Sequence, residues 1–295
     1  MTELQRYLAE EVAEDHADGI ITRREAIRRL GLLGVGGAAA SAMLAAGAAT
    51  AVAAAPRARA AAAGDRAVTW GVVATEAVTF PGPQGTLMGA WAAAAGTPRG
   101  SVLVIHENRG LTDHIRQVAG RFAASGWSAL ALDLLSEEGG TGSFPGEAEV
   151  AAALSAIPPA RFDADMQAAV TELKRRVPGR RTAAIGFCFG GGMIWRLLAL
   201  GEGRLAAAAP FYGPFPTDGD LRATKAAVLG VYAGLDDRVN ATRDAATAAL
   251  RAARLRHQIV TFADAGHAFF NDTGQRFDPP SAAEAWHRTL DWFGR

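Results

Sequence analysis

The sequence predicts an α/β fold, with a mostly parallel central sheet and helices on both of its faces. Three observations predict it. Short apolar runs alternate with helical stretches from Thr69 to the C-terminus, the order that a parallel sheet with crossover helices requires. The runs at 102–105 and 182–185 carry no charge, as suits strands covered on both faces. Residues able to do chemistry follow directly on predicted strand ends, at Cys188, Asp236 and His267, where open α/β sheets place their functional groups.

The first sixty-odd residues differ in character from the rest, and we divide the chain into a leader at 1–63 and one α/β domain at 64–295. After an acidic opening, Thr22-Arg23-Arg24-Glu25 presents paired arginines, followed by the uncharged Ala/Gly-rich run Gly31 to Ala55. Small-x-small sites follow at Ala51-Val52-Ala53 and Ala58-Arg59-Ala60. This is the pattern of a twin-arginine export signal, which implies the twin-arginine machinery as a partner of the precursor and a periplasmic or extracellular product. An uncleaved membrane anchor is the competing reading of the same run. No cysteine lies near the small-x-small sites, which excludes a lipoprotein anchor.

Within the domain, 72–79 and 87–94 read as strands joined by Pro81-Gly82-Pro83-Gln84-Gly85 into an antiparallel hairpin. The parallel strands follow at 102–105, 128–132, 182–185, 206–211, 226–232 and 257–262. Helices are expected from Thr112 to before Gly126, from Ala160 to Val177 with Pro178-Gly179 as the stop, near 192–200 and 241–255, and from Ala282 to Phe293. A glycine-rich loop over the site is expected at 133–143.

At 295 residues and 49% hydrophobic, the chain can bury a full core. Its formal net charge of +0 and the lack of a basic-aromatic cluster disfavour nucleic acid and favour a small-molecule substrate. One cysteine excludes an intrachain disulfide and a thiolate zinc site, and no histidine pair has metal-ligand spacing. No metal or cofactor is expected.

That single cysteine stands inside Ala184-Ile185-Gly186-Phe187-Cys188-Phe189-Gly190-Gly191-Gly192. A lone cysteine is usually a buried structural residue. The glycine frame between a predicted strand and helix instead suits a nucleophile elbow, where the positions two before and two after the nucleophile must be small. A base and an orienting acid should then follow in the order nucleophile, acid, histidine. Asp236 in Gly234-Leu235-Asp236-Asp237 and His267 in Ala265-Gly266-His267-Ala268 follow in that order. An Asp in such a sequence also serves as a turn former. One oxyanion donor is the backbone N–H of Phe189, and the second is assigned to Asn108 N–H in the loop after strand 102–105. Glu107 is then beside the thiol, or is a solvated acid at a helix start. Of the aromatic residues near these segments, Tyr212, Phe215 and Phe269 follow strand ends and are candidate walls of an acyl or ring pocket.

On His-Glu-Asn-Arg-Gly-Leu at 106–111, Gly-Phe-Cys-Phe-Gly-Gly at 186–191, Gly-Leu-Asp-Asp-Arg-Val at 234–239 and Gly-His-Ala-Phe at 266–269, the chain resembles the dienelactone hydrolase family of α/β-hydrolases, in particular its exported carboxymethylenebutenolidase-like members. The resemblance covers roughly 70–294. It implies the α/β-hydrolase fold, a triad of Cys188, Asp236 and His267, and an active-site Glu107 that accepts or exchanges the thiol's proton. It also implies arginines that bind a substrate carboxylate, and here the sequence departs: Glu137 and Glu138 follow the fourth strand, and Asn271 stands past His267. Arg109 and Arg276 are the candidate substitutes. The expected function is opening of a lactone or ester bond through a cysteine-bound acyl group. The alternatives are a general carboxylesterase on an unknown periplasmic substrate and a non-catalytic ligand-binding member of the fold.

Overall fold

The computed structural model describes residues 1–53 and 70–295. The 63/64 boundary and the small-x-small sites beyond Ala53 lie outside the described residues. Two compact units form, one from residues 1–53 with 144–157 and the other from 70–143 with 158–295.

The first unit is helical: α1 (Glu3–Ala17), α2 (Arg23–Leu32), α3 (Gly37–Ala53) and, from within the later chain, α5 (Glu147–Ala156). α1 starts at a reciprocal cap in which the Thr2 hydroxyl accepts from Gln5 N–H and the Gln5 side chain accepts from Thr2 N–H, satisfying two otherwise orphaned donors. It buries Tyr7, Leu8, Ala9, Val12 and Ala13 in packing with α2 and α3. α5 packs on α1 and α2. There Arg28 reaches both Glu25 and Glu149, the latter at 2.6 Å, and hydrogen bonds from Arg28 and Arg29 hold the Glu25 carboxyl down at about 2. Arg23 and Arg24 are exposed in the first turn of α2. No helix among the described residues is long and apolar enough to cross a membrane.

The second unit is an eight-stranded sheet in the order β1-β2-β4-β3-β5-β6-β7-β8. The strands are β1 (Glu76–Pro81), β2 (Thr86–Ala92), β3 (Gly100–Ile105), β4 (Trp127–Asp133), β5 (Thr182–Phe187), β6 (Leu205–Phe211), β7 (Ala227–Ala233) and β8 (His257–Phe262). β1 and β2 pair antiparallel, β2 lies antiparallel to β4, and every later pairing is parallel. β3, β4, β5 and β7 are buried along their whole lengths, as their largely apolar sequences require.

Around the sheet run α4 (Asp113–Ala124), α6 (Pro159–Arg176), α7 (Phe189–Ala199), the single turn α8 (Asp237–Asn240), α9 (Arg243–Ala252) and α10 (Pro279–Gly294). α4 and α10 meet through Phe122, whose ring lies 4.5 Å from Trp286 and 5.9 Å from Phe293. α6 and α7 meet separately, with Phe162 edge-on to Phe189 at 5.5 Å. The predicted parallel sheet with helices on both faces is the fold observed.

Three elements differ from expectation. The opening strand begins at Glu76 rather than at residue 72, because Val73 N–H donates instead to Gly120 O of α4 at 3.1 Å. A Cβ on Gly120 would meet Val73 O at 2.2 Å, so the absence of a side chain permits that approach. α7 starts at Phe189, so Gly190, Gly191 and Gly192 are its first turn rather than a preceding loop. Helix α5 carries no sequence expectation at all.

Candidate active site

The end of β5 turns sharply into α7 at Cys188, which caps the helix with φ 56° and ψ −120°. A positive φ is rare for a residue with a side chain, and it persists where its surroundings over-determine it. Here Cys188 N–H donates to Phe211 O at 3.0 Å and Cys188 O accepts from Gly192 N–H at 3.1 Å. A Cβ on Gly186 would meet Gly190 O at 2.1 Å, and one on Gly190 would meet Ile105 O and His106 O at 2.5 Å each. The glycine frame thus lets strand and helix close on one another and brings the loop after β3 against the elbow. Cys188 is 2% exposed. At a helix N-terminus its thiolate faces the positive end of the dipole.

Asp236 follows β7 and caps α8, its Oδ1 accepting from Val239 N–H at 3.1 Å. Its Oδ2 lies 2.5 Å from His267 Nδ1, past the end of β8, and both side chains are buried. A ring nitrogen of His267 lies within 4.8 Å of Cys188 Sγ, and the ring is buried. Burial works against the charged imidazole, but Asp236 and then Cys188 outweigh it, and the pKa of His267 stands well above its ordinary value. Burial likewise works against ionised Asp236, and the neighbouring His267 still brings it below the ordinary range.

Tyr212 adopts φ 34° just past β6, with its N–H on Val231 O at 2.7 Å. Its ring packs 5.3 Å from the His267 ring and 5.5 Å from Phe269. Burial, followed by the charges of Glu107 and Cys188, raises the phenol pKa well above its ordinary value. It therefore stays protonated and can only donate to an anion beside it. The Phe270 backbone acts on the hydroxyl in the opposite direction, more weakly than burial.

Glu107 is 4% exposed on the loop after β3. Its Oε2 accepts from Asn271 Nδ2 at 2.6 Å, while Oε1 is buried without a hydrogen bond. Asn108 and Arg109 are half-buried on the same loop, and the turn closes through Gly110 N–H to Glu107 O at 3.1 Å. The loop 134–143 reaches these residues: Leu111 N–H donates to Thr141 Oγ1 at 2.8 Å, and Asp133 holds Thr141 through both carboxylate oxygens.

The remaining candidates are spread more widely. Phe269 is fully buried between Tyr212 and Phe262. Phe215 packs edge-on to Trp195 of α7 at 5.2 Å. Arg276 lays its aliphatic stem along Gly266, at 3.5 Å from where a Cβ would stand. Glu137 and Glu138 both face Arg161 of α6. His106 is fixed as a neutral Nδ1-H tautomer, since Nε2 accepts from Leu134 N–H at 3.1 Å and Nδ1 lies 2.6 Å from Glu107 O. Burial lowers its pKa. His114 binds Asp272, His257 binds Leu255 O, and His287 is exposed.

Sequence reasoning missed two features. Asn271 was noticed only as a missing arginine, yet it is the hydrogen-bond donor to Glu107. Beside it, Asp272 accepts from buried Arg121 and lies 2.7 Å from buried His114 Nδ1, and the Arg121 guanidinium stacks on Trp70 at 4.9 Å. The adjacency Asn271-Asp272 so soon after His267 is the one sequence signal that could have pointed there.

A mostly parallel eight-stranded sheet with a strained strand-to-helix turn after the fifth strand, an acid after the seventh and a histidine after the eighth is the arrangement of the α/β-hydrolase fold. The chain belongs to the dienelactone hydrolase family, whose model matches residues 88–295. An Escherichia coli protein named for carboxymethylenebutenolidase is 33% identical over 205 residues, 65% of this chain and 75% of the relative. One from Methylorubrum extorquens with the same name is 32% identical over 214 residues, 68% of this chain and 73% of the relative. A Klebsiella pneumoniae structure named for dienelactone hydrolase superposes with TM-score 0.66 at 27% identity, covering 75% of this chain and 98% of its own. A dienelactone hydrolase-like promiscuous phosphotriesterase from metagenomic libraries superposes with TM-score 0.65 at 27% identity, covering 76% and 98%. The protein is a hydrolase of this family acting on a small-molecule substrate.

Proposed function

We propose that the enzyme opens a lactone or ester bond through an acyl thioester on Cys188. The observation that carries this reading is the Cys188 elbow at φ 56° with the buried Asp236–His267 pair beside it. Cys188 Sγ attacks the carbonyl carbon, and the oxygen that becomes anionic is held by Phe189 N–H and Asn108 N–H. The C–O bond breaks, and His267 gives its proton to the leaving oxygen. Water, deprotonated by His267, then attacks the thioester, releasing the acid and restoring the thiol. Asp236 orients His267 and stabilises its charged form. Glu107 exchanges the thiol proton, Tyr212 and Phe269 form the inner wall, and Phe215, Arg109 and Arg276 complete the pocket.

A general carboxylesterase is the second reading, favoured by the acids and amide at the positions where the resemblance implies carboxylate-binding arginines: Glu137 and Glu138 pair with Arg161, and Asn271 binds Glu107. The enzyme is exported by the twin-arginine route on the strength of Arg23-Arg24 and the run that follows. The test is a panel of dienelactone, simple lactones, p-nitrophenyl esters and a p-nitrophenyl phosphotriester, run with and without iodoacetamide. Lactone or dienelactone turnover lost on alkylation supports the first reading, ester turnover alone the second. No turnover on any of them, or turnover untouched by complete alkylation, contradicts both.

A further inference from the structure

Glu107 is an acid with one unpartnered oxygen in a buried site, and its orientation depends on one donor. That donor is an amide whose two ends are distinguishable by their partners. Asn271 Oδ1 accepts from Thr273 N–H at 3.0 Å and from Thr273 Oγ1 at 2.7 Å. Those donors fix Oδ1 as the acceptor, so the NH₂ end must face Glu107 Oε2, 2.6 Å away. The segment carrying the amide is itself tied down. Asn271 N–H donates to Ala268 O at 3.0 Å, where Ala268 holds φ 61° directly after His267. Asp272 is anchored by His114 and Arg121, and His114 stands edge-on to Phe187, the residue before the nucleophile, with ring centroids 6.5 Å apart.

We infer that Asn271 is a positioning residue for the reaction: it fixes Oε2 of Glu107 and leaves Oε1 as the oxygen presented to the thiol, with Thr273 and the His114–Asp272–Arg121 cluster holding the amide in place. The charges of Glu107 and Cys188 both act on the Tyr212 phenol, the neutral His106 stands on the same loop as Glu107, and a ring nitrogen of His267 lies within 4.8 Å of Cys188 Sγ. Two opposite effects follow from removing the amide. A carboxylate tilted away from Cys188 no longer opposes the thiolate, while the same tilt keeps Glu107 from taking the thiol proton during turnover.

This inference rests on the hydrolytic reading, but its primary readout does not. Alkylation of Cys188 by iodoacetamide needs no substrate and reports one thiol, since the chain has one cysteine. Asn271→Leu is expected to alkylate at least threefold faster between pH 6 and 7 while kcat/KM falls tenfold or more, with the acid limb of the kcat/KM profile moved. A general loosening of the loop would move only accessibility and would not depend on Glu107. In a Glu107→Gln background, Asn271→Leu should therefore add no further change in alkylation rate. Thr273→Ala, at an exposed position, should shift alkylation the same way by a smaller factor, and it serves where Asn271→Leu does not fold. A shifted alkylation profile without turnover of any substrate would support the positioning role and count against the proposed function. Alkylation unchanged in Asn271→Leu, or in Thr273→Ala where that is the folded variant, or effects of Asn271→Leu and Glu107→Gln that simply add, would overturn the inference.

Discussion

At the residue scale, the site depends on charges placed where burial alone would remove them. The raised His267 and lowered Asp236 carry opposite pH dependences. His267 contributes stability that is full below its unfolded value near 6.5 and is lost as pH rises through its higher folded value. Asp236 contributes stability present above its unfolded 3.8 and lost as pH falls through its lower folded value. The pair should thus matter most between about pH 4 and 6.5. Comparing the wild type with Asp236→Asn by thermal melts across pH 3 to 9, the gap in Tm should be widest in that window and narrow on both sides. The same variant should lose about 10³ to 10⁴ in kcat through loss of the orienting carboxylate. Glu107→Gln keeps size and shape but removes the titratable acceptor, so kcat/KM should fall and its pH profile lose or move one limb. An unmoved profile at wild-type rate would make Glu107 a bystander.

At the scale of elements, the parallel strands were legible because they read as short apolar runs, and the opening pair β1 and β2 because a Pro-Gly turn joins them. Cys188, Asp236 and His267 could be singled out because each stands within a few residues of the end of such a run. What was not legible depends on contacts between segments far apart in sequence. The start of β1 is set by Val73 docking on Gly120, and the hold of Asn271 on Glu107 joins residues 164 positions apart. α5, an alanine-rich helix without an amphipathic stripe, shows no periodicity from which to predict it. The glycines of the elbow were legible as a motif, and their geometry gives it a measurable cost. Gly190→Ala would drive a methyl to 2.5 Å from two carbonyl oxygens, and should destabilise the protein by roughly 2–4 kcal/mol or prevent folding. On α6, burial and the nearby Glu137 raise Asp165 to about 6 despite Arg161. A carboxyl with a raised folded pKa loses its stabilising contribution as pH climbs through that value. Asp165→Asn should therefore raise Tm by a few degrees at pH 8, and by less at pH 5. An equal change at both pH values would show that Asp165 does not titrate there.

For the whole molecule, the twin-arginine reading fits the exposure of Arg23 and Arg24 in the first turn of α2. Replacing both with lysine should hold the precursor in the cytoplasm, measured by fractionation. Normal export of the double variant would defeat that proposal. Fold and family rest on the whole sheet, whereas the proposed chemistry rests on one sulfur. The most direct test is therefore to quench turnover of a p-nitrophenyl ester or lactone within milliseconds and map the acyl group by peptide mass. The account predicts an added acyl mass on the peptide containing Cys188, absent in Cys188→Ala together with the activity. Turnover with no label on that peptide, and retained in Cys188→Ala, would contradict it.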